Sequence, residues 1–213
     1  VIVPVIEEVV EAYREFYGVH FPIEVNLIIG GFGSNAYTYR QVIPNISFAL
    51  ERLSSNSEHL KVIAAHEFGH AAHNILSDQA GMNWRELKWA SPLTWFIQEG
   101  AAIHFSRIIA AGLYPSVYFH FNDEGDEWLS FAESNKEMIK NRFFEDYKKE
   151  SASNLFLEWF SIRGGKTFGY DRLGYFLADM FFQNLIQSKG ELEAVTAWKE
   201  KDFEDMVLNW MEN

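Results

Sequence analysis

The chain has 213 residues, 48% hydrophobic and 16% aromatic, with no cysteine and a formal net charge of -12 at pH 7. That length and apolar content suffice for one substantial core and exclude a disordered or fibrous chain, and the lack of cysteine excludes disulfides and thiolate catalysis. The acidic balance disfavours nucleic acid as a partner, and no apolar run is long enough to span a bilayer. No signal peptide opens the sequence, while Val1 in place of Met leaves open what precedes it, the compartment (cytoplasmic or exported) and the oligomeric state.

In chain order, Pro4 to Tyr17 is expected to form a helix, and Glu24 to Ile29 and Asn45 to Leu50 have strand character around a Gly30 to Ser34 turn or loop. That loop lacks the Gly-Lys-Ser/Thr ending of a phosphate-binding sequence and reads as a flexible connection. Ser57 is the expected N-cap of a helix in which Leu60, Ile63, Ala64, Phe68, Ala71 and Ile75 recur at helical spacing, unbroken before Ser77. Ser91 and Pro92 read as N-cap and first residue of the next helix, and Gly112 as the residue past its end. Asp123 to Glu150, acidic at its start and basic near Lys148 and Lys149, reads as one long surface helix with Phe131, Ile139, Phe143 and Phe144 facing inward. After the Gly164 to Gly169 loop, Tyr170 is expected to open an apolar helix running from Leu173 to Ser188 and stopped by Gly190. A short helix follows Glu191, and the last spans Asp202 to Met211. The fold expected is α+β: a small N-terminal, mostly antiparallel sheet with the helix after Ser57, then a helical C-terminal lobe. A single domain is expected, divisible into lobes at about residues 1–80 and 81–213.

The motif helix carries His66-Glu67-Phe68-Gly69-His70. Residues four apart share a helix face, so His66 and His70 can grip one metal ion, with Glu67 beside it as a base for metal-bound water. Gly69 costs such a helix about 1 kcal/mol relative to Ala, which suggests that another element approaches there. Catalytic zinc takes three protein ligands, and the continuation Ala71-Ala72-His73 excludes the metzincin pattern, which needs Gly and a further His. His73 lies about a turn beyond His70 and reads as a supporting or solvent-facing residue. Glu99 is the third ligand chosen: Trp95, Phe96, Ile97, Ala101, Ala102, Ile103 and Phe105 surround it, and an ionised carboxylate in such company needs a partner. Gly100 removes bulk beside it. Asp78, Glu86 and His104 are weaker candidates.

HEFGH followed about thirty residues later by Gln98-Glu99-Gly100-Ala101-Ala102 resembles the gluzincin zinc peptidases, above all a small group of bacterial predicted zinc-dependent proteases. The resemblance covers roughly residues 40 to 190, with specific motifs only on the two helices. It implies a zincin-like fold, zinc on His66, His70 and Glu99, and Glu67 activating a zinc-bound water to hydrolyse peptide bonds of a peptide or protein substrate, as an endopeptidase or an aminopeptidase. The alternative is a catalytically inactive relative serving as a binding or regulatory protein. The thermolysin-like branch carries an Asp four residues after the ligand Glu; here that position is Ile103, so the partner of the zinc histidines differs. The resemblance also implies an oxyanion donor, with Tyr170 first and Tyr175 second, and His104 and His120 as further candidates. It further implies that the strand before the motif helix, Asn45 to Leu50, is a sheet edge to which an extended peptide adds.

Overall fold

A computed structural model describes residues 1–30 and 33–213. Among these residues the chain forms α1 (Ile2–Tyr17), β1 (Val25–Ile28), β2 (Ala36–Thr38), β3 (Ile46–Ala49), α2 (Ser57–Gln79), α3 (Pro92–Ile109), α4 (Val117–His120), α5 (Asp126–Ser134), α6 (Lys136–Lys149), α7 (Ala152–Trp159), α8 (Leu173–Lys189), α9 (Glu191–Val195) and α10 (Phe203–Glu212). The expected α+β composition is present, dominated by helix. Two compact units are distinguished: Val1–Trp84 with Ala101–Glu124, and Arg85–Gly100 with Gly125–Asn213.

In the first unit, α1 buries Ile2, Val5, Val9 and Tyr13, a stripe repeating every three or four residues, and ends on Gly18 in the left-handed conformation. The helix starts two residues earlier than expected; Pro4 falls in the first turn, where its missing N–H has no intrahelical partner to lose. Tyr13 packs edge-on against Phe21 and Phe105, and its hydroxyl donates to the Ala65 carbonyl at 2.6 Å. Burial, with a smaller contribution from Tyr17, pushes that hydroxyl well above its ordinary pKa and keeps it a donor.

The sheet has three strands in the order β1-β3-β2. It is mixed rather than mostly antiparallel: β1 runs parallel to β3 in the register Val25↔Ile46, and β2 runs antiparallel to it with Thr38↔Ile46. The strand expected at an edge, Asn45 to Leu50, is therefore the central one. All four residues of β3 are buried, and its backbone is paired on both sides. The edges are β1 and β2, and β2 was not foreseen, because its three residues lie in a polar stretch between Asn35 and Arg40. Of the Gly30 to Ser34 turn, Gly31 and Phe32 lie outside the described residues.

The second unit is helical. Phe96 of α3 packs with Phe143 of α6, Phe181 of α8 and Trp210 of α10, and Phe143 meets Trp159 of α7 edge-on. A Cβ on Gly100 would lie 2.5 Å from the Ala178 carbonyl oxygen, so this glycine lets the backbones of α3 and α8 approach closely. The single helix expected from Asp123 to Glu150 is two helices, α5 and α6. Asn135, at φ -122, separates them and donates its side-chain amide to the Phe131 carbonyl at 2.8 Å, competing with the helical ladder. Ile139 and Phe143 are buried as expected, whereas Phe131 and Phe144 are half-exposed. Tyr170 lies before α8, not within it, because Arg172 adopts a left-handed φ of 53 and the helix begins at Leu173. Ser91 precedes α3 as expected, but its hydroxyl donates to Glu204 at 2.9 Å.

Glu204 of α10 also pairs with Lys88. Burial raises its carboxyl, but the hydrogen bonds from Lys88 and Ser91 outweigh that effect and hold it below its ordinary value. A carboxyl depressed in the folded state stabilises fully above its unfolded pKa and loses that contribution as pH falls through the folded one. Acid titration of unfolding stability below about pH 4.5 is expected to show a steeper loss in the wild type than in Glu204→Gln, which cannot titrate.

Candidate metal centre

The site is built on α2. Asn56, one residue before the expected cap, accepts from the Glu58 N–H at 2.8 Å, and the helix runs to Gln79. It is buried around nearly its whole circumference, which holds its side chains in fixed positions. The His66 and His70 rings lie 4.9 Å apart, nearly perpendicular, on one face. Glu99 of α3 joins them: one ligand atom from each of the three lies within 4.8 Å of the other two. His66 is buried, while His70 and Glu99 are half-buried, so Glu99 is less enclosed than its neighbours in sequence suggest.

Gly69 makes this convergence sterically possible. A Cβ there would lie 3.0 Å from Cα of Ala102 and 3.1 Å from the Tyr13 hydroxyl. Glu99 stands on the same helix less than a turn before Ala102, so the contact at Gly69 fixes the distance from which its carboxylate reaches the histidines. The helix-propensity cost of this glycine is thereby offset by close packing.

Glu67 is also buried, at 8% exposure. The Thr38 hydroxyl of β2 lies 2.6 Å from its carboxylate Oε2 and 3.1 Å from its main-chain oxygen. On the other side of the histidine face, the Phe121 ring lies 5.1 Å from that of His66, edge to face. Phe121 holds a left-handed φ of 61, a conformation that costs a bulky residue of order 1 kcal/mol or more. Thr38 and Phe121 were missed in the sequence. The alternation Ala36-Tyr37-Thr38-Tyr39 was a faint strand signal, whereas nothing marks Phe121 beforehand.

The remaining candidates fall as follows. His73 is fully buried, not solvent-facing, and is not one of the three clustered residues. Ile103 is fully buried and apolar, so it supplies no polar support to a ligand. His104 and His120 are half-buried on α3 and α4. Tyr170 stacks on Phe131 at 4.6 Å, and Tyr175, inside α8, lies under the Arg172 guanidinium at 5.9 Å. Asp78 is exposed and accepts from the Trp84 indole at 2.8 Å.

Two imidazoles and a carboxylate suit a borderline divalent ion. Ligand atoms around a tetrahedral zinc stand about 3.3 Å apart, so drawing each pair inward from the observed limit of 4.8 Å by at most about 1.5 Å completes a three-ligand set with a fourth position open. The residues fit such an ion. No protein-family model, curated protein or solved structure matches the chain.

Gly69→Ala gains helix propensity but forces Ala102 and Tyr13 outward. Metal titration is expected to show affinity reduced about 10- to 100-fold, with stability lowered by no more than about 2 kcal/mol, the balance of overpacking against propensity. Unchanged affinity would show that the approach of α3 does not set the ligand geometry.

Proposed function

We propose that this chain is a metal-dependent peptidase of the gluzincin type with a zincin-like fold, holding zinc on His66, His70 and Glu99. The observation that supports this reading most is the meeting of those three side chains, from two helices, beside a Glu67 whose carboxylate is already held. A divalent ion in that set supplies Lewis-acid polarisation. Glu67 takes the proton of the attacking water on its carboxylate and passes it to the leaving amine. Its burial strengthens its electrostatic interactions and limits competing bulk water. The partial exposure of His70 and Glu99 leaves a side from which a substrate carbonyl can enter.

The peptide-binding strand of this reading is β2 rather than β3. It stands at the sheet edge and carries Thr38 to Glu67, so an extended peptide adding there lies alongside the base. Tyr170, whose ring stacks on Phe131, is kept as the oxyanion donor of this reading on the family resemblance alone.

Glu67→Gln is expected to keep its full complement of zinc and to lose about 10²- to 10⁴-fold in kcat on peptide substrates, as measured by metal analysis with a cleavage assay. Tyr170→Phe is expected to lower kcat about 10²-fold with KM little changed. Wild-type protein that binds zinc stoichiometrically yet cleaves no peptide would favour the inactive binding or regulatory relative, and wild-type protein that binds no metal would end the reading altogether.

A further inference from the structure

The geometry points to Thr38 as the residue that positions the base, acting through Glu67 and resting on the peptidase reading above. A threonine hydroxyl carries one proton. Of its two neighbours, the carboxylate Oε2 at 2.6 Å and the main-chain oxygen of the same residue at 3.1 Å, the shorter and charged acceptor takes that proton. Oε2 is thereby held against the sheet. The arrangement anchors the carboxylate from one side and limits the positions it can take.

The support behind Thr38 is rigid. Its strand pairs with the buried central strand in a register that sets Thr38 against Ile46, which is fully buried. The β-branched side chain is restricted at χ1, so the hydroxyl direction follows from the backbone. Glu67, by contrast, has three rotatable side-chain bonds, and freezing them costs free energy that the pre-set hydroxyl offsets before substrate arrives. Serine would keep the donor with a looser rotamer. Valine would keep the shape and remove the donor.

The test compares zinc-loaded wild type, Thr38→Val, Thr38→Ser and Glu67→Gln on a quenched-fluorescent peptide library, with crystal structures of the first three. Thr38→Val is expected to lose about 10- to 100-fold in kcat with KM and zinc stoichiometry unchanged, and Thr38→Ser to recover most of that loss. In the valine variant the Glu67 carboxylate is expected to leave its wild-type position, a readout independent of activity, and in the serine variant to keep it. A kcat for Thr38→Val within twofold of wild type, or a carboxylate that stays in place without the hydroxyl, overturns the assignment while leaving the peptidase reading intact. If Thr38→Val does not fold, the serine variant decides: a carboxylate in place with near-wild-type kcat supports the role, and a displaced carboxylate with full activity overturns it. Cleavage by Glu67→Gln as fast as wild type removes Glu67 as the base, and the role of Thr38 with it.

Discussion

The close approach of two helix backbones at Gly69 is the constraint on which the rest of the site depends. With Cα of Ala102 only 3.0 Å from where a Cβ would stand, α2 and α3 meet so closely that a larger residue would push them apart by a few tenths of an ångström. The Tyr13 hydroxyl occupies the same small space and satisfies the Ala65 carbonyl, so α1 is tied to the same point. Three helices thus share one contact, and the ligand residues sit within a turn or so of it. Close-packed interiors transmit displacement instead of absorbing it, so a change at Gly69 is passed to His70, the next residue, and along α3 from Ala102 to Glu99.

Burial of polar groups gives the second theme. Glu67, His66 and His73 all lie at 8% exposure or less on one helix, a concentration of polar chemistry that an apolar core tolerates only where partners exist. For Glu67 that partner is Thr38, and the strand bearing it is only three residues long. In the small sheet a buried central strand anchors an edge strand, and that edge strand brings the Thr38 hydroxyl to Glu67. The strained backbone at Phe121 belongs to the same pattern, in which an unfavourable local conformation persists where an aromatic ring is set against a candidate ligand.

What was legible in the sequence follows from how local each signal is. His66, Glu67 and His70 were readable because four-residue spacing on a helix is a purely local rule. Glu99 was readable from the mismatch between a charge and its apolar neighbours. The α2 and α3 helices were placed within a residue or two at their starts by caps and proline. The break at Asn135 was not, since its cause is a side-chain hydrogen bond to Phe131 that charge patterning does not register. The order of the strands was also hidden: three residues of β2 carry too little periodicity to be seen, and without β2 the central strand looks like an edge. Thr38 and Phe121 act through contacts with residues 29 and 55 positions away, 67-38 and 121-66, which no window of sequence contains.

The chain's path through its two units has a consequence for its synthesis. All of the first unit has been made once Glu124 leaves the ribosome, and α3 is by then complete. The N-terminal half of that helix nevertheless carries Leu93, Phe96 and Ile97, whose companions for Phe96 arrive only with Phe143, Phe181 and finally Trp210. Until those residues emerge an apolar helical surface waits for partners, next to the candidate ligand Glu99. A helix exposed in this way is open to aggregation until Phe143, Phe181 and Trp210 have packed on it.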